Sequence, residues 1–236
     1  MIKCRCCADR GLPKGCPECG KILGIHKQSA SVPINEMEKI KIPEEYQNVI
    51  WDTDELKNSH PMLLSDNNFI NYCNQLDKLS NLFTKGEIPK TSGIIISKRG
   101  YGKKTLAYYC MRVALSYGYT VCPMLDNTQI KRINQLSADN PTSWVLRQLP
   151  SVDEITYCDV LFVTVDIDNY STALRTIESI MDKRARQSKS TFIISRYSLD
   201  EMSMFQQKRS YLTLLDSTGK LNNRKYPVVI NYKGEY

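Results

Sequence analysis

The sequence predicts an α/β fold in which a parallel sheet is flanked by helices, with a small cysteine-rich module in front of it. Apolar, strand-like segments alternate with helices of amphipathic spacing along most of the chain, which is typical of a parallel, doubly wound sheet. Five of the nine cysteines fall within the first 19 residues. We therefore expect a module at 1–27, a linker at 28–41 and an α/β domain at 42–236.

The composition is that of a globular protein of 236 residues, with 42% hydrophobic and 24% charged residues. The 32 basic residues exceed the 25 acidic ones, and the net charge of +7 is compatible with a polyanionic partner such as nucleic acid without proving one. We find no apolar run long enough to span a membrane and no signal peptide after Met1. We therefore expect an intracellular, cytoplasmic protein.

The cysteine-rich start contains two Cys-x-x-Cys pairs separated by eight residues, formed by Cys4 with Cys7 and Cys16 with Cys19. Each pair can form a knuckle that points both thiolates at one metal ion, and four thiolates complete a closed tetrahedral Zn²⁺ site. Such a site leaves no open position for chemistry, so the metal would stabilise the fold of the module. Cys6 lies outside the two pairs, and His26 is the weaker candidate for a fourth ligand.

Residues 93–105 are predicted to form a buried strand, a glycine-rich loop and the start of a helix. The β-branched run 94–96 suits a strand that is covered on both faces, and apolar residues at helical spacing begin at Leu106. Gly100 and Gly102 would let backbone amides point inward around phosphate oxygens, and Lys103 would reach the β- and γ-phosphates. The segment indicates a P-loop that binds a nucleotide.

This loop departs from the usual P-loop pattern in two places. Ser97 stands where the first glycine is expected, and Lys104 stands where a serine or threonine usually follows the lysine, so that Thr105 comes one residue late. In an alternative register, Lys104 and Thr105 form the lysine–threonine pair, but Lys103 then replaces a glycine whose bare backbone must approach the phosphate. We prefer the register with Lys103. A strand-to-helix turn that binds no ligand is a further alternative.

The rest of the domain is predicted to continue the alternation of helices and strands. A helix at 67–83 precedes the P-loop strand, and the helix after the loop ends at Gly118. Further strands are predicted at 119–125, 158–166, 191–195 and 226–231, and further helices at about 127–136, from 170 onward, at 198–205 and at 209–215. Ligands of such sheets bind at the carboxyl ends of the strands.

Five short segments of the domain carry motifs, at Ile42–Tyr46, Thr105–Ala107, Ile180–Arg184, Lys189–Ser195 and Leu199–Met202. In this order they resemble the AAA+ ATPases of the replicative helicase loader type, DnaC and DnaI, with the IstB ATPases of insertion sequences as close relatives. The resemblance covers about 42–236. A zinc module in front of the ATPase is similar to DnaI-type loaders, in which it engages the helicase. The compact size and degenerate motifs suggest a phage or mobile-element version.

The resemblance implies binding of ATP or ADP with Mg²⁺, and it leaves ATP hydrolysis open because the Walker motifs are degenerate. Asp166 would be the acid on the Mg²⁺ side, and Asp168 would substitute for the catalytic acid, since the paired acids of the family are not both present. Arg196 falls at the position of the sensor asparagine of the family, and Arg209 is the candidate arginine finger. Slow or absent hydrolysis is therefore expected.

The function that the resemblance implies is the loading of a hexameric replicative helicase onto single-stranded DNA, by a protein that forms homo-oligomers on the helicase. Lys131 and Arg132 lie where the DNA-contacting helices of the family fall, and a solvated face is the alternative for them. Lys183, Arg184 and Arg186 are predicted to form a solvated face. An adaptor without ATP turnover and an IstB-like transposition regulator are the alternative functions.

Overall fold

The structure is a computed structural model, which describes residues 40–90, 92–126, 128–130, 132–133, 149–165, 179–181, 183–197 and 229–232. Its first helical elements are α1 (Glu44–Gln47), α2 (Thr53–Asn58), a 3₁₀ turn (Pro61–Leu63) and the long helix α3 (Asn67–Thr84). These are followed by β1 (Gly93–Ser97), α4 (Lys103–Ser116), α5 (Val152–Tyr157), β2 (Val160–Val165), β3 (Ser190–Ser195) and β4 (Val229–Tyr232). Helical residues also occur at 128–130, 132–133, 179–181 and 183–186.

Side-chain caps explain where three of these helices begin. The Asp52 carboxylate accepts a hydrogen bond from an amide in the first turn of α2, and Asp66 does the same for α3. The α5 helix begins with a complete capping box, in which the Ser151 hydroxyl and the Glu154 carboxylate bond each other's backbone amides. The sequence prediction contained no helix at this place, although Ser151 and Glu154 have the spacing of a capping box.

The four strands form one parallel sheet in the order β2-β3-β1-β4. In register, Ile95 of β1 lies beside Ile194 of β3 on one side and beside Ile230 of β4 on the other. The P-loop strand is therefore an inner strand, and all five of its residues are buried. This explains why β1 is a continuous apolar run, since both of its faces are covered.

The segment predicted as a strand at 119–125 lies along the outer edge of β2 but forms only two isolated parallel bridges. Val121 pairs with Val160, and Leu125 pairs with Val163. Pro123 stands between the two bridges, and a proline has no backbone N–H to donate to a ladder. The segment therefore lies beside the sheet as predicted, but it forms two isolated bridges instead of a strand.

Two apolar layers cover the two faces of the sheet. One layer contains α3 and α4, whose Leu76 and Leu106 pack with Phe162 and Phe192 of the sheet. The other layer contains residues of 130–133, α5 and 180–181, which pack against the opposite face of β1, β2 and β3. The described residues thus confirm the predicted parallel sheet flanked by helices.

The apolar core starts slightly earlier in the chain than the predicted domain boundary at residue 42. Ile40 is buried and belongs to the layer that contains α3 and α4. Residues 28–39 of the predicted linker and the predicted module at 1–27 lie outside the described residues. In the part of the chain that the structure describes, no helix combines the length and apolarity needed to cross a membrane.

Candidate nucleotide site

The loop between β1 and α4 has the backbone that a phosphate-binding loop requires. Gly100 and Gly102 adopt left-handed conformations, with φ of 92° and 74°. A Cβ built on Gly100 would meet no atom within 4 Å, so the loop is open at that point. A Cβ on Gly102 would lie 3.1 Å from the Trp51 ring, which covers the start of α4. Both positions therefore favour glycine, and Gly102 directly precedes the helix.

The Lys103 side chain is folded onto this loop. Its ammonium donates to the Ser97 carbonyl, to the Ser97 hydroxyl at 2.9 Å and to the Lys98 carbonyl at 2.5 Å. The residue is 9% exposed, and burial, together with the neighbouring Lys104, lowers the pKa of Lys103 from 10.5 to about 8. A positive charge is disfavoured at this position, which lies at the N-terminus of α4. An anion bound beside the ammonium would reverse that effect.

Tyr72 of α3 connects to both ends of the loop, and the sequence analysis did not identify it as a site residue. Its hydroxyl lies 2.9 Å from the Ser97 hydroxyl and donates to the Tyr101 carbonyl at 2.8 Å. Tyr72 falls on the same apolar face of α3 as Phe69 and Leu76, so its spacing alone reads as core. A tyrosine hydroxyl inside a core needs a partner, which was the signal available in the sequence.

Tyr101, the residue between the two loop glycines, packs against the aromatic rings of His60, Phe69 and Tyr232. The Tyr101 ring stacks on His60 with centroids 4.6 Å apart and lies 5.2 Å from Tyr232 of β4. Tyr232 in turn donates to the N-cap Asp66 of α3 at 2.9 Å. The loop is therefore attached at its middle as well as at its ends.

The Trp51 ring, just before α2 in the chain, packs against the loop at Gly102. Its indole N–H donates to the Asp77 carboxylate of α3 at 2.9 Å, and Thr53 donates to the same carboxylate oxygen. These bonds hold the ring against Gly102. Sequence reasoning did not select Trp51, because no short motif marks an indole that reaches a loop fifty residues later in the chain.

The two lysines of the alternative registers differ in their surroundings. Lys103 is buried with its ammonium on the loop carbonyls, whereas Lys104 is exposed and Thr105 is partly buried. The glycine before Lys103 has the left-handed backbone that the preferred register requires. This geometry favours Lys103 as the phosphate-binding lysine, while the nucleotide contacts of Lys103, Lys104 and Thr105 stay predictions.

The carboxyl ends of β1, β2 and β3 meet beside the loop. Ser195 of β3 lies in register with Ile96 of β1 and with Val165 of β2. Arg196, at the predicted sensor position, follows β3, is exposed, and has its guanidinium 4.7 Å above the Tyr197 ring. Asp166 directly follows β2 in sequence.

Several predicted site residues lie outside the described residues, and their roles stay predictions. They are Asp166, Asp168, Arg209, Lys131 and the four cysteines Cys4, Cys7, Cys16 and Cys19. Arg132 is described, and it is exposed in a helical segment, as a DNA contact or a solvated residue would be. Among the described residues, no group of three His, Cys, Asp or Glu side chains is placed to hold a metal ion.

The prediction of a solvated basic face at 183–186 is wrong for Arg184. Lys183 and Arg186 are exposed, but Arg184 is 0% exposed. Its guanidinium donates to the Ile155 carbonyl at 2.6 Å, to the Cys158 carbonyl at 2.8 Å and to the Ser190 carbonyl at 2.5 Å. The Ile155 and Cys158 carbonyls lie at the C-terminal end of α5, where helix carbonyls lack backbone donors, and Arg184 is buried where it satisfies them.

Comparison with solved structures supports the fold. A candidate primosome component from Streptococcus pyogenes serotype M3 matches over 89% of this chain and all of that chain, with a TM-score of 0.53 and 13% identity. The DnaC helicase loader matches over 80% of this chain and all of its own chain, with a TM-score of 0.49 and 17% identity. DnaI matches over 77% of this chain and 94% of its own chain, with a TM-score of 0.47 and 13% identity. No protein-family model and no curated protein sequence matches the chain. At these identities the S. pyogenes match shows the fold alone, and it confirms the predicted α/β fold.

The residues of the loop fit the phosphates of a nucleotide. The left-handed glycines leave the loop open at Gly100, the α4 N-terminus points into it, and Lys103 places a buried positive charge beside the same opening. A bound phosphate chain would supply the negative charge that this position favours. Bound Mg²⁺ would neutralise part of the phosphate charge, and Asp166 is the candidate residue to hold it.

Proposed function

We propose that this protein is a nucleotide-binding AAA+ protein of DNA replication, which loads a hexameric replicative helicase onto single-stranded DNA. The observation that carries the nucleotide part is the buried Lys103 ammonium on an open, glycine-turned loop at the N-terminus of α4. The protein would bind ATP or ADP there, with Lys103 on the phosphates and Trp51 covering the loop at Gly102.

The replication part is supported by the sequence motifs between Ile42 and Met202 that resemble helicase loaders. The S. pyogenes protein with the same fold is a candidate primosome component, and a role in assembling a replication complex is proposed here on that similarity. The excess of basic residues fits a protein that also contacts single-stranded DNA, and Arg132 is exposed and available for such a contact.

The cysteine pairs at the start of the chain are proposed to hold one Zn²⁺ and to form a docking module for the helicase. The spacing of Cys4, Cys7, Cys16 and Cys19 supports this proposal. The linker of roughly fifteen residues would span about 20 Å as a flexible coil, so that the module could dock while the ATPase packs on its neighbours. The partners would therefore be a helicase hexamer, single-stranded DNA and further copies of this chain.

A second candidate function is an adaptor that binds ATP without turning it over. The observation that favours it is the exposed Lys104 at the position where a hydroxyl group usually follows the lysine. An arginine, Arg196, also stands at the sensor position beside the loop. Single-turnover hydrolysis of ATP, measured with and without helicase and DNA, separates the two functions, because only the loader with turnover releases phosphate.

Copurification with the replicative helicase of the same genome, with and without ATP, tests the proposed function. We expect the full chain to retain the helicase in the presence of ATP, and a variant that lacks residues 1–27 to lose it while still binding ATP and single-stranded DNA. DNA affinity of that variant should fall steeply between low and physiological salt. Full-strength helicase binding by the deletion variant would show that the module is not the docking element.

Metal analysis tests the zinc module separately. We expect one zinc per chain in the wild type and loss of the zinc in Cys16→Ser, because three thiolates do not close the tetrahedron. Cys6→Ser is the matched control, since it removes a cysteine from the same segment outside the two pairs. Full zinc content in Cys16→Ser would contradict the assignment.

A further inference from the structure

The Ser97 hydroxyl occupies a place where P-loops usually carry a glycine, and it lies between Lys103 and Tyr72. We propose that Tyr72 and Ser97 are positioning residues, which fix the Lys103 ammonium before a nucleotide arrives. This inference rests on the proposed nucleotide binding of the same loop. Tyr72 belongs to α3, outside the sequence motif, so the P-loop of this protein is completed by a residue from a neighbouring helix.

The direction of the hydrogen bonds in this group follows from the number of protons available. The Lys103 ammonium can only donate, so it donates to the Ser97 hydroxyl oxygen at 2.9 Å. The Tyr72 hydroxyl donates its proton to the Tyr101 carbonyl at 2.8 Å. Its oxygen can then accept from the Ser97 hydroxyl at 2.9 Å, which completes a chain from Lys103 to Ser97, Tyr72 and Tyr101.

Burial makes this chain costly to break. Tyr72 is 0% exposed and Ser97 is 1% exposed, so water cannot replace a lost partner. Burial also raises the pKa of Tyr72, which keeps its hydroxyl protonated and able to donate. The chain ties the first residue of the loop to Tyr101, just before the helix, and thereby fixes the span that a phosphate would enter.

A fixed Lys103 lowers the cost of binding. A lysine side chain that is free to move loses rotamer entropy when it binds a phosphate, whereas one held on Ser97 has lost it on folding. With a glycine at position 97, the ammonium would keep only the backbone carbonyls of residues 97 and 98 as hydrogen-bond acceptors. The hydroxyl at 97 is therefore a feature of the binding site rather than a defect of the motif.

Equilibrium binding of Mg-ATP to Tyr72→Phe, Ser97→Ala and the double variant tests the proposal. Tyr109→Phe is the matched control, because it removes a tyrosine hydroxyl that connects α4 to Thr84 of α3, at 3.0 Å and away from the loop. Each single variant should weaken ATP binding by about fivefold, as expected for one hydrogen bond. The double variant should also lose about fivefold rather than the product of the two, because both changes break one chain.

A spectroscopic signature distinguishes positioning from a general loss of structure. The Lys103 side-chain carbon resonance, followed against pH in the nucleotide-free protein, should titrate near pH 8 in the wild type. It should titrate at lower pH in Ser97→Ala, because the ammonium has lost a hydrogen-bond acceptor, and also in Tyr72→Phe, because the Ser97 hydroxyl is no longer held in place for the ammonium. The charged neighbour Lys104 is retained in all variants, so its repulsion is constant. Tyr109→Phe should titrate as the wild type does.

The outcomes separate this inference from the proposed function. If the wild type binds Mg-ATP and Tyr72→Phe behaves like Tyr109→Phe in both affinity and titration, the positioning role is overturned while nucleotide binding stands. If the wild type binds no nucleotide, the proposed function fails, and the titration of Lys103 alone decides whether Tyr72 and Ser97 hold its ammonium. Lysine titrations that do not differ among the variants would overturn the inference in that case too.

Discussion

Two buried cations lie at opposite ends of the parallel sheet, and their surroundings differ. Lys103 follows the carboxyl end of β1 and sits at the N-terminus of α4, where a positive charge is disfavoured. Arg184 lies near the start of β3, where its guanidinium meets carbonyls at the C-terminus of α5 that favour a positive charge. The charge of Arg184 is thus stabilised by groups of the protein itself, whereas the charge of Lys103 would be stabilised by a bound anion.

The two cations also differ in their hydrogen-bond partners. The Arg184 guanidinium also donates to the Thr191 hydroxyl at 2.9 Å and contacts the Cys158 sulfur at 3.1 Å. The Lys103 ammonium donates to the Ser97 hydroxyl and to the carbonyls of Ser97 and Lys98. Arg184, at the amino end of the sheet, is therefore a structural cation, and we expect Lys103, at the carboxyl end, to bind a ligand.

The largest expected effect is on stability, when Arg184 is replaced. Arg184→Met should lower the free energy of unfolding by about 3 to 5 kcal/mol, because several buried carbonyls lose their donor together. Lys183→Ala is the matched control on the neighbouring exposed residue and should change stability by less than about 0.5 kcal/mol. Denaturant unfolding measures both variants. A loss in Arg184→Met as small as that of the control would show that Arg184 does not hold the sheet.

The next effect is the pH dependence of nucleotide binding. The pKa of Lys103 in the nucleotide-free protein is about 8, and bound phosphate would raise it, so binding above that pH requires uptake of a proton. ATP affinity should be constant below about pH 8 and fall by up to tenfold per pH unit above it. In Lys104→Ala the decline should begin at higher pH, since Lys104 contributes to the lowered pKa. An affinity that stays flat between pH 8 and 9.5 would contradict the role of Lys103.

The smallest expected effect is the stability change on removal of the Lys103 charge. Lys103→Met should change the free energy of unfolding by less than about 1 kcal/mol, because removal of a charge that burial disfavours offsets the loss of the hydrogen bonds to Ser97 and Lys98. The much larger loss expected in Arg184→Met makes the two variants a direct test of the comparison. If Lys103→Met lowered the free energy of unfolding by several kcal/mol, Lys103 would stabilise the fold as Arg184 does, which would contradict the comparison.

The fold could be predicted from the sequence where local pattern and tertiary packing agree. The β1 run of three isoleucines and the 67–83 helix were placed to within one or two residues, because buried parallel strands and amphipathic helices have distinct periods. Lys103 was favoured from the glycine before it, and the structure gives that glycine a left-handed backbone. These features depend only on residues that are close in the chain.

The rest of the site depends on contacts between distant segments. Arg184 has the same sequence signal as its exposed neighbours Lys183 and Arg186, and only its position beside the carbonyls after α5 makes it a buried residue. Tyr72 reads as an ordinary core residue until Ser97, 25 positions later, is brought to its hydroxyl. A single sequence contains no local pattern for such pairs, so these contacts are visible only in the structure.

The central claim is that the ammonium of Lys103 receives the phosphates of a nucleotide. Isothermal titration of Mg-ATP into wild type, Lys103→Ala and Lys104→Ala at pH 7 tests it most directly. We expect binding by the wild type, a loss of about a hundredfold or more in Lys103→Ala with the fold retained, and a smaller loss in Lys104→Ala. Equal affinity of wild type and Lys103→Ala, or a larger loss in Lys104→Ala, would contradict the account.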